Sequence, residues 1–174
     1  MATPAEWSKA FAVQADADMR TFDRLCLDEK IPTCSRLHFL QMACEKLSKA
    51  HLFVTGGNPD RLQSSHAHIR HALPRILNHQ IEEHGKIPKH HRHLVAPIKQ
   101  IAREIELLAP SVRENGQRPD NCEYPWEDPA TETLRVPAQY SFHNLSMVLE
   151  SSPAWTAILK LLRSAIAELI GRGA

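Results

Sequence analysis

The sequence lacks the compositional features that mark several classes of protein. Its formal net charge is only +1, because 21 Lys and Arg residues nearly balance 20 Asp and Glu residues, so no global positive field attracts nucleic acid or an acidic membrane. It contains no run of 18 apolar residues, and acidic residues interrupt the N-terminal stretch where a signal peptide would be apolar. We expect a cytoplasmic protein that does not enter a membrane, with any basic surface confined to a local patch.

Paired cysteines are also missing. The four cysteines, at positions 26, 34, 44 and 122, form no CxxC pair and show no ordered spacing, which argues against a zinc ribbon, a thioredoxin-type motif and a small disulfide scaffold. We expect reduced thiols, no metal and no cofactor. At 174 residues the chain is long enough for one domain with a well-formed core, and a second core would be cramped.

Apolar residues recur at steps of three and four, the period of an amphipathic helix, and no alternation typical of β-strands is present. The pattern predicts a first helix over roughly 4–28 and a second that begins at a Thr33 cap and ends at the GGNP turn at 56–59. A third helical region starts near Asp60 and is expected to kink or restart at Pro74, and a fourth covers 94–108 with Pro97 near its start. The last helix begins after Ser152-Pro153. We therefore predict an all-α fold, a single domain of five or six helices over residues 1–174.

Residues 110–140 differ in character from the rest of the chain. They hold five of the 12 prolines, show no apolar periodicity and include the string NCEYPWEDP. A loop of about thirty residues is uncommon inside a compact domain and is usually functional or disordered. Tyr124 and Trp126 indicate that this long proline-rich loop packs on the bundle, although such aromatic residues are also typical anchors for a partner protein.

The second predicted helix, SRLHFLQMACEKLSKAHLF, resembles the HEPN family of helical bundles. Members of that family often carry a Gln-Gln-Ala-x-Glu-Lys-x-x-Lys-Ala string on this helix, and Met42 replaces the second Gln here. The matching positions are Gln41, Ala43, Glu45, Lys46, Lys49 and Ala50. The resemblance covers residues 8–80, and it implies a HEPN-like core over 5–109 and 141–171 and a homodimer. From the residues alone, Glu45 and Lys49 form an ordinary surface ion pair four positions apart.

Many proteins of this family are metal-independent ribonucleases with an Arg-x(4 to 6)-His motif. An imidazole can accept the proton of a ribose 2′-hydroxyl while a nearby guanidinium stabilises the phosphate charge. By this resemblance Arg61 and His66 are the catalytic pair, and His68 also falls within the permitted spacing. Random placement of the chain's Arg and His residues gives about two to three such matches, and two occur, so the motif is not enriched.

Histidines cluster strongly, with eight of the 11 in the 28 residues from His66 to His93. A metal site could use His68 with His71, or His90 with His93, but no HExxH motif and no paired Cys accompany them. Interspersed Arg and Lys residues suit phosphate contacts better than a metal site, but a solvated polar face remains the leading explanation for any single histidine. The candidate RNA- or phosphate-binding residues are Arg70, His71, Arg75, His79, Lys89 and Arg92.

Three functions remain open from the sequence. The first is a HEPN-like binding module that is dimeric, contacts RNA or nucleotide phosphate, and acts with a partner such as a nucleotidyltransferase or an antitoxin in a toxin–antitoxin or defence-type system. The second is a metal-independent ribonuclease that uses Arg61 and His66. The third is a protein-interaction domain whose contact surface is the loop with Tyr124 and Trp126.

Overall fold

In the computed structural model, the described residues are 2–58, 62, 64–83, 93–112, 120–150 and 152–171. These residues form six α-helices and one small antiparallel sheet, so the all-α expectation is confirmed. The elements are α1 (Pro4–Leu25), α2 (Thr33–Val54), α3 (Ile69–Glu83), α4 (Val95–Glu106), β1 (Trp126–Asp128), β2 (Thr133–Arg135), α5 (Ser146–Leu149) and α6 (Pro153–Gly171), with single 3₁₀ turns at Pro137–Gln139 and His143–Leu145.

Helices α1 and α2 form the longest packed pair. α1 begins with a capping box in which the Thr3 hydroxyl accepts the Glu6 N–H at 3.2 Å and the Glu6 carboxylate accepts the Thr3 N–H at 2.7 Å. The prediction that Thr33 caps α2 is wrong. Pro32 occupies the cap position, and Thr33 is the first helical residue, whose hydroxyl accepts a hydrogen bond from Arg36 at 3.2 Å.

Asp18 interrupts the apolar stripe of α1 because it joins the two helices through a polar contact. It is buried, and its carboxylate accepts hydrogen bonds from Lys46 Nζ at 2.7 Å and from Gln14 Nε2 at 3.1 Å. A buried carboxylate is tolerated when it is paired in this way.

Helices α3 and α4 pack against each other, and α3 also contacts α2 and α6. α3 runs without interruption through Pro74, so the helix does not restart at this proline. Leu62 and Ser64, which precede α3, are helical as well, and Asp60, the predicted start of this helical region, lies outside the described residues. Pro97 stands in the first turn of α4, where its missing N–H removes no intrahelical bond. The Gln80 amide of α3 donates to the Glu168 carboxylate of α6.

Part of the long proline-rich loop forms a small β-structure that the sequence pattern did not predict. Trp126 pairs with Arg135 and Asp128 with Thr133 in an antiparallel hairpin. Each strand has only three residues, which is too short to leave a period of two in the sequence. Trp126 is 9% exposed and meets the Tyr140 ring edge to face, with the ring centroids 5.0 Å apart. Tyr140 packs against the core and Cys122 is part of it, so residues 120–140 of the stretch lie against the bundle as predicted.

α6 closes the bundle by packing across α1 and α3. The Trp155 N–H donates to the Ser152 hydroxyl at 3.1 Å, and Pro153 is the first helical residue, which confirms the predicted start of this helix. None of the helices in the described part of the chain has the length and apolar character needed to cross a membrane.

Candidate functional site

A buried polar network runs along α2 at the positions of the HEPN-like string. The Glu45 carboxylate accepts hydrogen bonds from Lys49 Nζ at 2.7 Å and from Gln41 Nε2 at 3.0 Å. Glu45 and Lys49 are only 3% and 4% exposed, so the expected surface ion pair is instead a buried one. The i, i+4 spacing correctly indicated the contact between them, but it could not show which face of α2 would be covered.

His66 meets this network from outside α2. Its Nδ1 lies 3.0 Å from Glu45 Oε2 and 3.1 Å from Oε1, and its side chain is 46% exposed. Since a carboxylate can only accept, Nδ1 carries the proton in this contact and Nε2 is left as the basic nitrogen of the neutral ring. A half-exposed imidazole oriented by a buried carboxylate is the arrangement that suits a general base.

The charge on Glu45 is stable in this setting. Burial by itself would raise the pKa of the Glu45 carboxyl, but the hydrogen bonds and positive charges of Lys49 and His66 outweigh that effect and the pKa is lowered. Glu45 therefore stays ionised at neutral pH and continues to orient the His66 ring.

Glu45 and His66 lie in a cleft of about 250 Å³ between α2 and the segment that follows α4. The other residues that line this cleft are Gln41, Met42, Ala109, Pro110, Ser111, Glu123 and Tyr124. Two residues of the NCEYPWEDP string therefore face the same space as His66. More than fifty positions separate His66 from this string in the sequence, so no local spacing predicts that they meet.

A tight turn at residues 121–124 fixes the side of the cleft on which Tyr124 lies. The Asn121 side-chain oxygen accepts the N–H groups of Glu123 at 2.8 Å and Tyr124 at 2.7 Å, and its amide donates to the Tyr124 carbonyl at 3.2 Å. The Cys122 N–H donates to the Leu108 carbonyl at 3.2 Å, which ties the turn to the end of α4. An Asn side chain that binds the backbone two and three residues ahead is a local turn device.

Several of the predicted site residues lie outside the described residues. Arg61, the proposed catalytic partner of His66, is among them, and so are Lys89 and Arg92. The observed partner of His66 is therefore the Glu45 carboxylate, which the Arg-x(4 to 6)-His motif does not include.

The described basic residues of α3 are exposed, and one of them lines a second cleft. Arg70, His71 and Arg75 are exposed. His79 is exposed as well, but its Nε2 lies 3.3 Å from Glu83 Oε1, and the residue lines a separate cleft with His51 and Glu168. His79 therefore stands apart from the His66 cleft, which it does not line.

Glu106 of α4 holds the start of α3. Its carboxylate accepts the Arg70 N–H at 3.0 Å, and the residue is 2% exposed. Burial raises the pKa of Glu106, and the Arg70 N–H together with the charges of Arg70 and His71 limit that rise. This contact places the first turn of α3, a few residues after His66, against α4.

No set of three or more His, Cys, Asp and Glu side chains within the described ranges is arranged to hold a metal ion. Of the two histidine pairs considered for a metal, His90 lies outside the described residues. Comparison with known proteins gives no family model, no curated sequence and no solved structure that matches the chain.

Proposed function

We propose that the protein is a HEPN-like module that binds the phosphates of RNA or a nucleotide along the first part of α3 and the adjoining His66 cleft. The observation that carries this proposal is the charge of residues 64–81. They contain two arginines and four histidines and no acidic residue, and Arg70, His71 and Arg75 are exposed. In a chain of net charge +1, such a local patch is where phosphate contacts are favoured.

The module would act with a second protein, such as a nucleotidyltransferase or an antitoxin, in a toxin–antitoxin or defence-type system. This part of the proposal rests on the HEPN-like string of α2, whose Gln41, Glu45 and Lys49 form the buried network. The same resemblance supports a homodimer.

Binding of a fluorescent single-stranded RNA at several salt concentrations tests the proposal. The double variant Arg70→Ala/Arg75→Ala should bind more weakly, and the slope of log affinity against log salt should become shallower by about 1.4, since each phosphate contact on a single strand contributes about 0.7. Arg20→Ala/Arg24→Ala removes the same charge from exposed positions of α1 and should change neither quantity. Equal weakening by both double variants would refute a site on α3.

A metal-independent ribonuclease is the second candidate, and the Glu45–His66 contact is the observation that favours it. Nε2 of His66 would take the proton of a ribose 2′-hydroxyl as that oxygen attacks the adjacent phosphorus and the bond from phosphorus to the 5′-oxygen breaks. The leaving oxygen takes a proton from an acid or water. Arg61 is the cation that the motif assigns to the phosphate charge.

Incubation of purified protein with RNA in the presence of a chelator separates the two candidates. His66→Ala should abolish chelator-resistant cleavage, and it should lower the melting temperature less than Lys49→Met does, because Lys49 and Gln41 still donate to Glu45. His143→Ala, which changes an exposed histidine outside α3 and outside the His66 cleft, is the matched control and should retain cleavage. If wild-type protein binds RNA and leaves it intact, the binding module stands and the ribonuclease does not.

A further inference from the structure

Tyr124 and Trp126 are two residues apart but differ completely in exposure. Trp126 is 9% exposed and packs on Tyr140, whereas Tyr124 is 62% exposed and lines the cleft of His66. An aromatic ring that is not needed for packing and stands at the edge of a cleft is available to a ligand.

The backbone of Tyr124 is held before any ligand arrives. Asn121 binds both the N–H and the carbonyl of Tyr124, at 2.7 and 3.2 Å, and Asn121 is itself 6% exposed. A ring on a fixed backbone has only its own two torsions to lose on binding, so a stacking contact there costs little conformational entropy.

The charges around the cleft differ between its two sides. Glu123, next to Tyr124, carries a carboxylate whose Oε1 lies 3.5 Å from His38 Nδ1. On the other side, the Glu45 charge is compensated by Lys49 and His66. A phosphate is therefore better placed near His66, and the Tyr124 side is better suited to an uncharged ring whose amino group can donate to a carboxylate.

We propose that Tyr124 is a stacking platform for one unpaired nucleobase, and that the cleft selects single-stranded RNA over duplex RNA. This inference rests on the proposed function. A cleft of about 250 Å³ is smaller than the pockets of about 300–1,000 Å³ that enclose drug-sized ligands, so it takes a single nucleotide unit. Bases inside a duplex are already stacked and do not reach such a ring, whereas unpaired bases do.

The experiment compares three labelled probes: a ten-residue single-stranded RNA, the same RNA annealed to its complement, and an abasic strand with the same backbone. Tyr124→Ala should weaken binding of the single strand by about 5- to 150-fold, the range measured for base–aromatic stacking. The same variant should leave binding of the abasic strand unchanged. Tyr124→Phe keeps the ring face and should bind the single strand as the wild type does.

Leu134→Ala is the matched control, because Leu134 is 72% exposed on the adjacent hairpin. If Tyr124→Ala bound the single strand as well as the wild type does, the stacking role would be overturned, but phosphate binding by α3 would not. The stacking role would also be overturned if the variant lost as much affinity for the abasic strand as for the normal single strand. A wild-type protein that binds none of the three probes at low salt would overturn the proposed function itself. The melting temperature of Tyr124→Ala should match that of the wild type, since the side chain is mostly in solvent.

Discussion

At the scale of single residues, the informative feature is a charge that is buried and fully compensated. Glu45 receives hydrogen bonds from Gln41, Lys49 and His66, which come from two different parts of the chain. Removal of one partner from a buried ion pair leaves a charge that water cannot reach, and this costs far more than the loss of a surface pair.

Lys49→Met should therefore destabilise the protein by about 3 kcal/mol, the lower end of the usual range because Gln41 and His66 still donate to Glu45. Urea unfolding gives the free energy of unfolding for this measurement. Arg20→Met, which breaks the exposed pair with Asp16, should cost about 0–1 kcal/mol. The double variant Glu45→Leu/Lys49→Met should recover most of the loss, and a double variant as unstable as the sum of its single variants would contradict a buried pair.

Two buried carboxyls should shape the pH dependence of stability in opposite directions. The pKa of Glu45 is lowered from its ordinary value of 4.5, so its stabilising effect is present above that pH and is lost as the pH falls through the folded-state pKa. The pKa of Glu106 is raised from the same value, so ionisation of this group reduces stability as the pH rises above 4.5.

Urea unfolding measured from about pH 3 to pH 7 tests both signs. Glu45→Gln should reduce the loss of unfolding free energy that occurs as the pH falls below 4.5. Glu106→Gln should remove the loss that occurs as the pH rises above 4.5, and the glutamine oxygen can still accept the Arg70 N–H. If the two variants gave parallel pH profiles, the opposite environments of the two carboxyls would be disproved.

At the scale of elements, the hairpin β1–β2 depends on a single buried side chain. Trp126 is the only buried residue of the two strands, and Leu134 on the facing strand is 72% exposed. Trp126→Ala should cost about 3–5 kcal/mol because it leaves a large cavity beside Tyr140. Leu134→Ala should stay within about 0.5 kcal/mol. Thermal or urea unfolding of both variants checks this, and similar losses would mean that the hairpin is not anchored through Trp126.

The sequence predicted elements well where apolar residues repeat with the helical period over several turns. The helical period of the apolar residues correctly placed α1, which ends at Leu25, slightly before the predicted end near 28, and Ser152-Pro153 correctly placed the start of α6. The hairpin could not be found in this way, because strands of three residues with one buried side chain leave no pattern to count.

The candidate site was only partly accessible from the sequence for a similar reason. His66 was selected by its spacing from an arginine, but its observed partner, Glu45, is 21 positions away on another helix. Such a contact depends on how α2 packs with the segment before α3, which no local spacing encodes. Tyr124 was noted as an aromatic residue of the loop, and its place beside His66 follows only from the turn held by Asn121.

At the scale of the whole molecule, the expected association into a homodimer has a direct measurement. Apolar side chains remain exposed on the first two helices, with Val13 49% and Val54 51% exposed. Light scattering at micromolar concentration should give twice the chain mass of 19.7 kDa. A single species of 19.7 kDa under those conditions would contradict the dimer.

Because the Glu106 carboxylate of α4 binds the first turn of α3, unfolding of that turn depends on the contact between the two helices. Helices fray first at their ends, where backbone N–H groups lack intrahelical partners. The Arg70 N–H is instead held at 3.0 Å by a side chain of α4, so this amide should exchange its hydrogen with solvent only when the two helices separate. The opening rate of the segment that carries His66 is then set by the α3–α4 interface and not by the helical propensity of α3 alone.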